Sequence, residues 1–177
     1  EKTLQEIYDF YSSRGNTNKG RFEAVAEKVA AEVISESGSI YIPGWLTKRS
    51  GDGGVDFVGR LDVGSGFSST SQVVLGQAKC EIPDGATSGK DIARTVARLR
   101  RGWIGCYVTT SFFSEPVQKE IIEDRYPLIT IPGLKVAEIV RKLCLRDGIS
   151  TKEFLEQTDQ KYESRLANRE PEQILVT

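Results

Sequence analysis

Two runs with strand character, Val55 to Leu61 and Gln72 to Cys80, flank a stretch from Gly64 to Ser71 built largely of glycine and serine. Such a stretch between strand-like runs reads as the loop of a hairpin. The residues beyond Cys80 narrow the fold further. The pattern gives a helix from about Lys90 to Arg101, a buried strand from Ile104 to Thr109 and a helix from Ser114 to Arg125. A short apolar strand from Leu128 to Ile131 comes next, then a helix begun at Pro132 and ended near Asp147-Gly148. A hairpin followed by α-β-α-β-α units makes a mixed sheet flanked by helices, so the chain is expected in the α/β class.

The segments before the hairpin are helical. Leu4, Ile7, Tyr8 and Tyr11 mark a short amphipathic helix over residues 4–12, and Ser12 to Gly20 reads as a polar loop. A second helix is expected from about Arg21 to Ser37, with Phe22, Val25, Ala26, Val29, Val33 and Ile34 on its apolar stripe and Gly38 as C-cap. A strand over Ile40 to Ile42 is expected to end at Pro43-Gly44, before a turn at Ser50 to Gly54. Ser114 reads as an N-cap followed by Glu115 and Pro116. Ser150-Thr151-Lys152-Glu153 is a capping-box pattern that opens a last helix running to about Ala167. The expected division is a helical lead-in over 1–17, a core over 18–147, and a terminal helix and tail over 148–177.

Composition removes more chemistry than it adds. With 177 residues the chain has material for one packed core but not two. No apolar run approaches ~18 residues, the polar start is not a signal peptide, and the absence of an initiator Met suggests a piece of something longer. Cys80, Cys106 and Cys144 form neither a disulfide framework nor a zinc pattern, and are expected as small buried thiols in a reducing compartment. The chain contains no histidine. That excludes Ser-His-Asp triads, Cys-His nucleophiles, histidine zinc sites and nucleases with a histidine base. Chemistry is left to carboxylates, amides, lysines, hydroxyls or a thiol, and oxygen ligands favour hard cations such as magnesium or manganese. A net charge of −1 argues against a wholly basic DNA coat but allows a local basic stripe.

The second strand of the hairpin carries the candidate chemistry. Alternation points Val73, Leu75, Gln77 and Lys79 to one face, so two polar side chains project from an otherwise apolar strand. Antiparallel pairing brings Asp56 beside them. Phosphodiester hydrolysis needs a cation to neutralise charge on the phosphate and to acidify a bound water. Asp56 is the candidate charged ligand, with the Gln77 amide oxygen and the Ala78 carbonyl as further donors. Lys79 is the candidate to orient or deprotonate the attacking water, or to stabilise the transition state. By spacing alone the trio fits equally a surface hairpin with a solvated Gln and Lys.

The flanking residues point further. Gly51-Asp52-Gly53-Gly54-Val55-Asp56 followed by Val74-Leu75-Gly76-Gln77-Ala78-Lys79-Cys80 resembles the Mrr-like branch of the PD-(D/E)XK nucleases, where Gln often replaces the acid before x-K. Gly20-Arg21-Phe22-Glu23 is similar to that family's opening motif, and Gly105 to Ser111 with Phe113-Ser114 to its TTS-x-F segment. The resemblance covers roughly residues 18–140. It implies a three-layer restriction-endonuclease-like core with N- and C-terminal helical extensions, acting as a cytoplasmic Mg²⁺-dependent DNA endonuclease in which Mn²⁺ can substitute. It also implies that Glu23 completes the metal shell. Asp52, among glycines, reads as a turn residue rather than a ligand. Gln77 departs from the usual acid and supplies no charge, so metal affinity leans on Asp56 and Glu23.

For DNA, Lys90, Arg94, Arg98 and Arg101 recur along one face of the expected helix beside the core stripe of Ile92, Val96 and Leu99. Such a stripe can follow a phosphate backbone, or can be a solvated helix face. Lys48 and Arg49 are a second candidate contact. No base-reading module is present, so sequence recognition is expected outside this chain, as is usual for Mrr-like catalytic domains, several of which restrict modified DNA. Trp45 and Trp103 read as a strand-end and a core residue rather than base-stacking platforms. Duplex cutting needs two sites, so a homodimer or transient dimer is expected. The alternatives on the same fold are a structure-specific repair or junction nuclease and a non-catalytic DNA-binding domain.

Overall fold

A computed structural model of the chain describes residues 1–13, 19–36, 38–48 and 55–176. The expected turn at 50–54, and with it Asp52 and the candidate Arg49, lies outside the described residues.

The hairpin forms as its glycines and serines predict. β2 (Phe57–Val63) pairs antiparallel with β3 (Thr70–Lys79), in register from Val63↔Thr70 to Phe57↔Gly76. β1 (Ile40–Thr47) adds antiparallel on the outer side of β2. β5 (Ile104–Thr109) and β7 (Leu128–Ile131) add parallel on the inner side of β3. The mixed sheet thus has the order β7-β5-β3-β2-β1-β8, where β8 (Leu166–Ala167) pairs parallel with the end of β1. A separate parallel pair, β4 (Ala86–Thr87) with β6 (Phe112–Phe113), sits beyond the ends of β3 and β5.

Helices cover both faces, which gives the mixed sheet flanked by helices expected from the element order and the three layers that the resemblance implies. α1 (Lys2–Ser12), α2 (Glu23–Glu36), α5 (Gly133–Asp147) and α6 (Thr151–Gln160) build the larger core against one face. There Phe22, Val25, Val29, Val136, Ile139 and Val140 meet Val74, Cys106 and Val108. α3 (Gly89–Val96) and α4 (Glu115–Glu123) cover the other face at the β5 side, where Ile92, Tyr107, Phe113 and Val117 pack together. Towards β1 that face is closed by Trp45, Val58, Val73, Leu75 and Ile174. Trp45 is therefore a core residue, with Arg169 stacked over its ring. All three cysteines are buried, and burial pushes the Cys106 thiol up to about 12. Among the described residues no helix is long and apolar enough to cross a membrane.

Three expected boundaries move. β1 does not stop at Pro43: it continues to Thr47 through a bulge between Pro43 and Trp45. A proline is tolerated where pairing is irregular, and a Cβ on Gly44 would lie 2.5 Å from the Val58 carbonyl oxygen, so only glycine fits the close approach. The helix expected over Lys90 to Arg101 ends at Val96. Arg98 and Leu99 close tight turns onto Thr95 and Val96, and Leu99 packs against the cluster of Trp45, Val58 and Leu75 instead of continuing the helix. The last helix breaks at Lys161 into α6 and a short α7 (Tyr162–Arg165), which frees Leu166-Ala167 to pair with the edge of β1. The capping box at Ser150 and Glu153 forms as expected, and α5 ends where expected, with Gly148 as a left-handed C-cap.

Candidate active site

At one end of the hairpin β2 and β3 part company, and the side chain of Asp56 fills the gap. The Asp56 N–H still donates to the Gly76 carbonyl at 2.8 Å. One step further along β3 the backbone of β2 has ended, and the Ala78 N–H donates to Asp56 Oδ2 at 2.7 Å instead. Gln77 Nε2 donates to the same oxygen at 2.5 Å. Two donors thus fix the carboxylate, and the Gln77 amide oxygen becomes the opposite end of the group that faces Asp56. Gly76 has no side chain because the Phe57 ring occupies that space; a Cβ there would meet it at 2.1 Å.

Strand alternation places Lys79 on the face of Gln77, at the last residue of β3. Its ammonium lies 2.8 Å from Asp91 Oδ2 in the first turn of α3. Burial pushes the Asp91 carboxyl up, but the hydrogen bond and charge of Lys79, with help from Ser88, outweigh it and hold it below its ordinary value. Two residues beyond Lys79, the Glu81 carboxylate accepts from Thr87 Oγ1 at 2.8 Å and Thr109 Oγ1 at 3.1 Å. Tyr107, the register partner of Gln77, is fully buried on this face. Its phenol is held protonated by burial and then by the charges of Glu81, Asp91 and Asp56.

Glu23 sits elsewhere in the architecture. It begins α2, which packs on the opposite face of the sheet from Gln77 and Lys79, and it is 4% exposed. The Tyr162 hydroxyl of α7 donates to its Oε2 at 3.1 Å. Arg21 stacks on the Tyr162 ring and pairs with Asp159 at 2.6 Å, so the C-terminal helices hold Glu23 in place. The structure therefore joins Asp56, Gln77 and Ala78 by direct contact and sets Lys79 on the same face, while Glu23 belongs to a separate hydrogen-bonded group.

Among the basic candidates, Lys48, Lys90, Arg94 and Arg101 are exposed and Arg98 is half-buried. Because α3 ends at Val96, Arg98 and Arg101 lie on the turns after it, and the four cations do not form one continuous helical stripe. Sequence reasoning does not single out Asp91, Glu81 or Tyr162. Asp91 has a local signal, since Ser88-x-x-Asp91 is a capping pattern. Glu81 continues the alternation of Gln77 and Lys79. Tyr162 has none, because its partner lies 139 residues away.

A divalent cation fits the site by donor type. The Asp56 carboxylate, the Gln77 amide oxygen and the Ala78 carbonyl are hard oxygen donors, and the Cys80 thiol faces the opposite core. Among the described residues no three acidic or thiol side chains gather into a metal cluster. Charge for a cation here comes chiefly from Asp56.

The restriction endonuclease family model Mrr_cat matches residues 21–140. Among solved structures, the chain is similar to MspJI restriction endonuclease in complex with a 27-mer oligonucleotide, at 48% identity and a TM-score of 0.90, over 99% of this chain and 38% of that one. It is also similar to the DNA modification-dependent restriction endonuclease AspBHI, with a TM-score of 0.73 over 91% of this chain and 41% of that one. At 21% identity the second likeness is one of fold. The chain spans well under half the length of either. No curated protein matches the sequence.

Proposed function

The chain belongs to the Mrr_cat restriction endonuclease family, and from that premise we propose that it is a Mg²⁺-dependent endonuclease unit that hydrolyses phosphodiester bonds of double-stranded DNA for a restriction enzyme. The observation that carries the reading is the end of the hairpin, where Gln77 and the Ala78 amide hold the Asp56 carboxylate with Lys79 on the same face. The 48% identity to a restriction endonuclease bound to an oligonucleotide, over nearly the whole chain, supports it.

Each residue then has a task. Asp56, the Gln77 amide oxygen and the Ala78 carbonyl would hold the cation, while Glu23, expected from the resemblance to complete the shell, lies on the opposite face of the sheet and is not assigned to it. When bound, the cation supplies charge neutralisation at the phosphate and a water acidic enough to attack at neutral pH. Lys79 presents its ammonium where negative charge builds on the phosphate and helps to orient the attacking water. Lys48, Arg49, Lys90, Arg94, Arg98 and Arg101 contact phosphates, which gives affinity without base preference. Sequence recognition belongs to another part of the enzyme, and cutting both strands requires two copies of this site acting together.

The test is cleavage of methylated and unmethylated plasmid by the whole enzyme with Mg²⁺, Mn²⁺ or EDTA. Asp56→Asn and Lys79→Ala are each expected to lower the rate at least ~100-fold, since each removes a group aimed at transition-state charge. Asp56→Asn is preferred to alanine because it keeps an acceptor for the Ala78 amide. Parental cutting in EDTA, or by both variants, would overturn the assignment.

A further inference from the structure

Lysine is a flexible point charge, and a catalytic cation acts only when something holds it in place. Lys79 stands on the last residue of β3, where the sheet gives it no neighbouring strand beyond the register pair with Thr109. Its ammonium nevertheless has a fixed partner. Asp91 Oδ2 lies 2.8 Å away, with the two side chains 34% and 20% exposed. Fully exposed ion pairs order little. This one is partly buried, and its carboxylate rests on a rigid support.

That support is visible bond by bond. The Asp91 N–H donates to Ser88 Oγ at 3.3 Å and to the Ser88 carbonyl at 3.1 Å, while Ser88 Oγ donates to Asp91 Oδ2 at 3.1 Å. The Asp91 carbonyl accepts from Thr95 Oγ1 at 3.0 Å, and Thr95 is itself buried. The next residue, Ile92, is 1% exposed and anchors the helix against Tyr107, Phe113 and Val117. A second cation, Arg94, reaches the other oxygen of Asp91 at 4.0 Å.

Resting on the nuclease reading above, we propose that Asp91 is the positioning residue for Lys79: α3 aims the motif lysine at the reacting phosphate and sets Arg94 beside it. Asp91 does not touch DNA or metal. It acts through Lys79, by limiting where the ammonium can go, and it is itself an acidic group close to an anionic ligand.

These two properties predict that rate and binding respond separately, with a loss of rate and no loss of binding. Asp91→Asn keeps the shape and the cap but releases the ammonium. Single-turnover cleavage by the whole enzyme with Mg²⁺ is expected to slow roughly 10- to 100-fold, the usual cost of a misplaced catalytic group. DNA affinity measured in EDTA is expected to be unchanged or tighter, because a negative charge has gone. Asp91→Glu is expected to recover part of the rate. In the Lys79→Ala background, Asp91→Asn is expected to add no further loss, since the group it positions is absent. A full additional loss there, parental cleavage by Asp91→Asn, or a rate loss matched by a fall in melting temperature that Asp91→Glu does not repair would each overturn the assignment. A parent enzyme that does not cut DNA with Mg²⁺ overturns the nuclease reading instead, so the two failures are distinct.

Discussion

Gln77 is where this site departs most from two acids and a lysine, and its hydrogen bond explains how the departure is accommodated. As an amide it donates to Asp56 Oδ2 at 2.5 Å; a carboxylate in its place would set two like charges in contact. Gln77→Glu is therefore expected to destabilise the protein without metal by about 1–3 kcal/mol, the cost of stranding a polar group without its partner. Mg²⁺ is expected to recover much of that loss, because the same pair then offers a cation two charges instead of one. Melting curves with EDTA and with Mg²⁺ check both halves; a parental melting temperature in EDTA would show that the contact carries no such weight. That Asp56, Gln77 and Lys79 come together is legible in the sequence because strand alternation is local and hairpin pairing is short-range, whereas the chemistry assigned to them came from the flanking motifs. Asp91 is legible there only as a helix cap. Its role beside Lys79 depends on where α3 lands on the sheet, which the burial of Ile92 decides and periodicity does not.

At the level of elements, sequence patterns locate well those segments whose ends carry their own chemistry. β5 and β7 lie as expected between turns, and α5 stops at Gly148 because that residue adopts the left-handed conformation, φ 65°. Boundaries decided by tertiary partners are located poorly. The break between α6 and α7 is an example. Arg165 on α7 reaches Glu27 of α2 at 2.7 Å and the Gly44 carbonyl of β1 at 3.3 Å, and a helix unbroken to Ala167 would not form β8. Glu27 is 1% exposed; burial raises its carboxyl above the ordinary value, and Arg165 offsets only part of that rise. Arg165→Met is expected to cost about 3 kcal/mol, the low end for a broken buried pair, because the Arg165 side chain is 36% exposed. A carboxyl raised in the folded state favours folding at pH below its unfolded value and loses that contribution as pH rises through the folded one. Without Arg165 the rise is larger, so the deficit of the variant should shrink as pH falls towards the carboxylate range. Urea titrations of parent and variant at neutral and mildly acidic pH test this; a deficit independent of pH would mean that Glu27 is not left charged and alone. Glu27→Met added to Arg165→Met is expected to regain stability.

Across the whole molecule the charges nearly cancel, at −1, yet they are not evenly used. On the side of α2 and α5, Lys135, Lys142 and Arg146 are paired with Glu32 and Glu36, so those three cations are already neutralised. Arg21 is likewise taken by Asp159 and Glu163, and Arg100 by Glu172. Around α3 and the turns after it the balance differs. Lys90 and Arg101 make no ion pair among the described residues, and Arg94 makes only a 4.0 Å one. A phosphate backbone is attracted where cations are not already neutralised, and each phosphate contact contributes about 0.9 to the slope of log K against log salt. Lys90→Gln, Arg94→Gln and Arg101→Gln should each lower that slope by about 1 and weaken binding equally on all sequences. Lys142→Gln and Arg146→Gln should leave it unchanged, although each removes the same formal charge. Titrations of a short duplex from low to moderate salt, in EDTA so that no strand is cut, separate local contact from net charge. If all five variants lower the slope alike, DNA responds to total charge and the α3 side is not its track. If only the two controls do so, the duplex lies on the α2 and α5 side, on the opposite face of the sheet from Gln77 and Lys79, and the placement of the cutting site would have to be abandoned with it.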